Sequence, residues 1–100
     1  MNVKNKKNIK NEIDKKLKKY FKITGKALDI AKKAINEGKK KEALEVLDMA
    51  QRYYEDAKFF EKQRQIINAF AALNYAHGWI DCGSRLGLFK VKDSKLFVIK

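Results

Sequence analysis

The 100-residue sequence predicts an all-α fold, an up-down-up three-helix bundle closed by a short C-terminal β-hairpin or extended tail. Three observations carry that reading. Apolar residues recur at helical spacing in three successive stretches, about 9–37, 40–61 and 64–86; Pro is absent; and the period switches from helical to alternating after Gly87. Short connections between such helices fold each one back on its neighbour.

The first stripe, Ile13, Leu17, Tyr20, Phe21, Thr24, Leu28, Ala31 and Ile35, has Lys on the opposite face and predicts a long amphipathic helix from Ile9. Residues 1–8 read as a basic flexible arm, and Gly38 is the expected helix stop, because Gly takes the left-handed conformation of a C-cap. Gly25 lies inside the helix at a cost of about 1 kcal/mol relative to Ala, and reads as tolerated or as a close-contact site. The second stripe is Ala43, Leu47, Ala50, Tyr54, Ala57 and Phe60. Its break near residues 61–63 carries no Gly or Pro and rests on the phase of the pattern alone.

The third stripe, Ile66, Ala69, Phe70, Leu73, Ala76, Ile80 and Gly83, is the most apolar and the smallest-sided, so this helix is expected to be the most buried. Ala69, Ala72, Ala76 and Gly83 allow a neighbouring backbone to approach closely. Beyond Gly87, Phe89 to Lys92 alternates, Asp93 and Ser94 offer a turn, and Leu96 to Ile99 resumes as a second strand. A two-stranded ribbon is marginal alone, so Phe89, Leu96, Phe97 and Val98 should lean on the bundle or on another chain. At 1.5 Å per residue the first helix spans about 43 Å and the others about 33 Å, which leaves its Lys-rich first turns overhanging the core.

Composition narrows the function classes. A mass of 11.6 kDa implies a folded surface of about 5,800 Å², with roughly 65% of the unfolded surface buried, enough for one modest core. The longest apolar run is five residues, Ala69 to Leu73, so neither a membrane span nor a secretory signal is read, and the expected location is cytoplasmic. The single Cys82 forms no internal disulfide. Net charge is +12, and residues 1–41 alone hold 15 Lys against four acids. Because 21 of the 24 basic residues are Lys rather than the bidentate Arg, sequence-specific nucleic-acid reading is disfavoured. A Lys-rich proteome is the bland source of this excess; Lys4, Lys6, Lys7, Lys10, Lys15, Lys16, Lys18 and Lys19 are the candidate contacts to a polyanion.

Asn74, His77, Asp81 and Arg85 recur at offsets of three, four and four, so they share one face of the third helix as a candidate interaction surface. Asp81 is placed to orient His77, but no nucleophile, second acid or metal set accompanies them, and a hydrogen-bonded polar seam is the plainer role. One His and one Cys make no structural zinc set, and the isolated glycines match no phosphate loop. No catalytic, cofactor-binding or metal-ligating residues are therefore assigned, and no enzyme activity is expected. Tyr53, Tyr54, Phe59 and Phe60 sit at helical spacing and read as core; an exposed Tyr53 or Tyr75 would instead mark a binding face.

YYEDAKFF at 53–60 and AFAALNYAHGWIDCGSRLGLF at 69–89 resemble the archaeal family catalogued as domain of unknown function 357, over roughly residues 20–99. Matching positions include Tyr54, Asp56, Ala57, Phe60, Ala72, Tyr75, Gly78, Trp79, Asp81, Gly83, Arg85, Leu86 and Gly87. The resemblance implies a small up-and-down three-helix bundle with no established activity and no catalytic residues. This chain lacks a Gly between its second and third helices, which puts the position of that turn in question. A weaker likeness, AINEGKKKEALEVLDMA to one tetratricopeptide-type hairpin, supports helix pairing and no solenoid.

The functional expectation is a non-catalytic helical interaction module, with another protein or a second copy as partner, meeting it at the Gly38 end that the His77 stripe and the hairpin are expected to share. The alternative is nonspecific nucleic-acid binding through the Lys-rich N-terminal region.

Overall fold

The computed structural model describes residues 3–92, with side chains from Asn8 onward. Three helices appear in order: α1 (Val3–Lys33), α2 (Lys40–Lys62) and α3 (Ile66–Arg85). Cross-contacts fix their directions. Tyr20 meets Phe70 and Thr24 meets His77, so position along α3 rises with position along α1 and the two helices are parallel; beyond their ends Ile35 meets Phe89 in an antiparallel bridge. Phe21 meets Tyr54 and Lys32 meets Gln51, so α2 runs against α1. The bundle is up-down-up as expected, with its most extensive contact between α2 and α3.

α1 begins at Val3, six residues before the expected start, and takes in most of the segment read as an arm. With α3 starting at Ile66, the register places its first turn beside Ile13. Residues 3–12 of α1 therefore project past the bundle by about 15 Å. The molecule measures 57 × 25 × 16 Å, and its accessible surface of 7257 Å² exceeds the roughly 5,800 Å² of a compact chain of this mass.

The expected stop at Gly38 is corrected. α1 ends at Lys33, and Gly38 lies in a 3-10 turn over Glu37–Lys39 without a positive φ. The break comes from the C-terminal tail. Asn36 donates its backbone N–H to the Leu88 carbonyl at 2.8 Å, and Lys90 donates to the Ala34 carbonyl at 2.7 Å, so residues 34–36 are drawn out of the helix. The Asn36 side chain accepts from the Gly38 N–H at 3.1 Å and donates to the Gly87 carbonyl at 2.9 Å, while Lys39 Nζ reaches the Leu86 carbonyl at 2.9 Å.

α2 and α3 end alike. Gln65 donates to the Phe60 carbonyl and Arg64 to that of Glu61; Leu88 donates to the Gly83 carbonyl and Gly87 to that of Ser84. Both are Schellman caps, closed by a left-handed residue. At the end of α3 that residue is Gly87, φ 74°, and at the end of α2 it is Arg64, φ 61°. A non-glycine residue thus makes the turn that carries no Gly signal in the sequence.

Two apolar clusters form the core. One, at the Asn36 pole, holds Ala27, Leu28, Ala31, Ala43, Leu47, Ala50, Ile80, Leu88 and Phe89; the other holds Leu17, Ala57, Ala69, Ala72 and Leu73. Tyr54 packs against both, its ring edge-on to Phe21 and its hydroxyl donating to the Phe21 carbonyl at 3.3 Å. Gly25 makes room for that phenol: a Cβ there would stand 2.6 Å from the Tyr54 hydroxyl. Among the described residues, eight of the fifteen buried apolar ones are Ala. Such a core brings the helices close but removes little area per residue. Phe89 is buried over Gly83, and its antiparallel bridge to Ile35 aligns the tail; of the expected hairpin, residues 93–100 lie outside the described residues.

Candidate interaction surface

α3 presents three faces. Its inner face, Ala69, Ala72, Leu73, Ala76, Ile80 and Gly83, is buried against its neighbours, as its small residues predicted. His77 and Asp81 lie on the flank turned toward α1. His77 Nδ1 shares a hydrogen bond of 3.2 Å with Thr24 Oγ1, and His77 Nε2 stands 3.6 Å from Asp81 Oδ1, with the two side chains about a quarter exposed. Thr24, only 3% exposed, is buried because it points from α1 into this seam.

Three of the four stripe residues, Asn74, His77 and Asp81, line one cleft of about 410 Å³ against α1, with Tyr20 and Ile23 on its other wall, while Arg85 stands exposed outside it. His77 sits opposite Thr24, about two thirds of the way along α1, so His77, Asp81 and Arg85 fall in the half of the bundle towards the Gly38 end, while Asn74 lies nearer the middle. Among the described residues, no three His, Cys, Asp or Glu side chains gather where a metal ion could be held.

The third face looks outward. Ile67, Ala71, Tyr75, Gly78, Cys82 and Leu86 are all exposed, Ile67 at 84% and Tyr75 at 62%. No Asp, Glu, Lys or Arg occurs from Ile66 to Ile80, in a chain with 36% charged residues. The outer faces of α1 and α2 are studded with charge instead, for example exposed Lys15, Lys22, Lys26, Asp48, Arg52 and Glu55. Among the described residues α3 has the largest buried share of the three helices, as expected, yet its remaining apolar surplus faces solvent. The signal was present in the sequence, since a charge-free window longer than three helical turns leaves no charge for any face.

Aromatic and apolar clefts border this face. Tyr75 stacks on Tyr53 with ring centroids 5.2 Å apart, beside a cleft of about 420 Å³ lined by Asn74, Gly78, Trp79 and Cys82. At the opposite pole Ile9, Ile13, Ile67 and Phe70 line a trough of about 570 Å³ rimmed by Lys10, Asp14 and Arg64. Along α1, Lys10, Lys15, Lys16, Lys18 and Lys19 are exposed; Lys4, Lys6 and Lys7 fall in the helix, their side chains outside the described residues. Among the described residues no helix is long and apolar enough to cross a membrane.

No curated protein and no solved structure matches the chain. The family described as protein of unknown function DUF357 matches residues 19–89, from the middle of α1 through all of α2 and α3 to the buried Phe89, and the chain belongs to that family.

Proposed function

We propose that this chain is a non-catalytic helical interaction module whose docking surface is the outer face of α3. The observation that carries the reading is the charge-free, solvent-facing row from Ile67 to Cys82 on an otherwise highly charged molecule. Exposed apolar patches of this kind on soluble domains mark contact sites, and aromatic residues are enriched at the centre of protein interfaces. Placing a photo-crosslinking phenylalanine analogue at position 75, and separately at exposed position 48 on α2, tests it in cells of the source. Position 75 should yield a discrete protein adduct and position 48 none; equal labelling of both removes the reading.

A second reading has its own support in the exposed lysines of α1, several of which point away from the core along one ridge. Under it, the protein binds polyanions nonspecifically. Neutralising six to eight phosphates gives a log–log salt slope of about −5 to −7 on duplex DNA. Absence of retention at 50 mM salt excludes it.

A further inference from the structure

We infer that the occupant of the α3 outer face is a second copy of this chain, docked with its α3 antiparallel to the first about a two-fold axis passing between Tyr75 and Gly78. The inference rests on the docking-face reading and names its partner.

The spacing of the face is the first support. Ile67, Ala71, Tyr75, Gly78, Cys82 and Leu86 follow one another at intervals of four, four, three, four and four residues, a series that reads the same from either end. An antiparallel copy therefore meets it in register. Ile67 falls opposite Leu86 of the second copy, Ala71 opposite its Cys82, and Tyr75 opposite its Gly78. The largest side chain of the row thus faces the smallest, and the aliphatic residues meet at the two ends. A two-fold contact uses the same patch on both chains and so requires this self-complementarity.

Gly78 is the second support. A Cβ at Gly78 meets nothing within 4 Å, whereas Gly25 accommodates the Tyr54 phenol and Gly83 the Phe89 ring. Among the described residues nothing uses the missing side chain of Gly78, although Gly in mid-helix is unfavourable. In the paired arrangement it seats the Tyr75 ring of the second copy, which enters beside the cleft between Tyr53 and Trp79.

Charge is the third. Each copy carries +12, so two copies approach only through a face that bears little charge, and the row from Ile66 to Ile80 bears none. Packing there leaves the Lys-bearing side of α1 turned away from the contact. An acidic partner helix, by contrast, finds no row of cations on this face; Arg85 stands at its edge.

Disulfide trapping tests the register. Within one chain, positions 71 and 82 are eleven helical residues apart, about 16 Å, beyond the roughly 7 Å a disulfide spans. The Ala71→Cys variant should oxidise to a dimer of twice 11.6 kDa through its native Cys82, while the wild type, whose two Cys82 thiols are held equally far apart, should not. Asp48→Cys, on the outer face of α2, serves as the control for random collision. Sedimentation equilibrium should show a monomer–dimer equilibrium whose Kd rises at least 30-fold in Tyr75→Glu, with circular dichroism confirming that the variant remains helical. A wild-type disulfide dimer overturns the antiparallel register, as does equal crosslinking of the Asp48→Cys control. A wild type that stays monomeric at 0.5 mM overturns self-pairing altogether. In that last case, a heterologous adduct at position 75 keeps the docking face and its absence retires both ideas.

Discussion

Gly78 and Gly83 lie five residues apart on α3 and should respond to one added methyl with opposite sign. A Cβ at Gly83 collides with the ring of Phe89, which is 3% exposed and has no open side to move toward. Gly83→Ala is expected to lower stability by about 1–2 kcal/mol, the cost of overpacking net of the gain in helix propensity. Gly78→Ala meets open space and should raise it by about 1 kcal/mol. Urea midpoints at a protein concentration where sedimentation shows only monomer check both; a loss at Gly78 or a gain at Gly83 there contradicts the packing described. Arg64 offers a third test. Its left-handed φ of 61° costs an L-residue about 1–2 kcal/mol, part of which Gly returns as extra freedom in the unfolded chain. Arg64→Gly should therefore stabilise by about 0.5–1 kcal/mol in the same titration. At this scale the sequence was partly legible. Gly83 reads as a close-approach position from its place in the apolar stripe, Gly25 as tolerated or close-contact, and Gly78 stands outside its stripe; what was not legible is that a ring fills the space over Gly83, because that ring belongs to residue 89.

Among the elements, the joint between α1 and α2 is set by the tail rather than by its own residues. Asn36 binds Leu88 and Gly87 through its backbone and side-chain N–H groups and accepts from Gly38 through Oδ1, tying together three segments remote in sequence. Asn36→Ala removes the two side-chain bonds and leaves the Gly87 carbonyl and Gly38 N–H to water. A loss of about 1–2 kcal/mol is expected, with amides of residues 34–38 and 88–90 exchanging faster with deuterium while those of the α2–α3 contact keep their protection. Uniform loss of protection would mean that the joint is not a separate element. The order, type and pairing of the three helices were legible, since apolar periodicity extends over five or more turns in each. The end of α1 was not. Its periodic pattern continues through Ile35, and only the tail's long-range hydrogen bonds to residues 34 and 36 withdraw that turn. The four-residue stripe from Asn74 to Arg85 was legible as a shared face but not in its surroundings. Helical spacing shows that side chains share a face, but which neighbour that face meets is decided by the register against Thr24.

Taken as a whole, the molecule separates its two kinds of surface: lysines along α1, and an uncharged row along the outer side of α3. The Ala-rich core explains why the second is left outside. Alanine lets three helices close to a 16 Å thickness while removing little apolar area, so Ile67, Tyr75 and Leu86 remain unburied within one chain. The two candidate activities then carry opposite signatures in salt. Pairing through α3 joins two chains of +12, and the repulsion between them weakens as the Debye length falls from about 10 Å at 0.1 M to about 3 Å at 1 M. Salt should thus tighten self-association several-fold, with apolar contact little affected by screening. Binding of a polyanion to α1 moves the other way, since it draws on released counterions and collapses over the same range. Measuring sedimentation equilibrium and duplex-DNA retention on one preparation, at 0.1, 0.3 and 1 M NaCl, separates them. A dimer that dissociates as salt rises would place charge inside the contact, which the row from Ile67 to Leu86 lacks except at its Arg85 edge, and would move the pairing surface to the lysine-bearing side of the molecule.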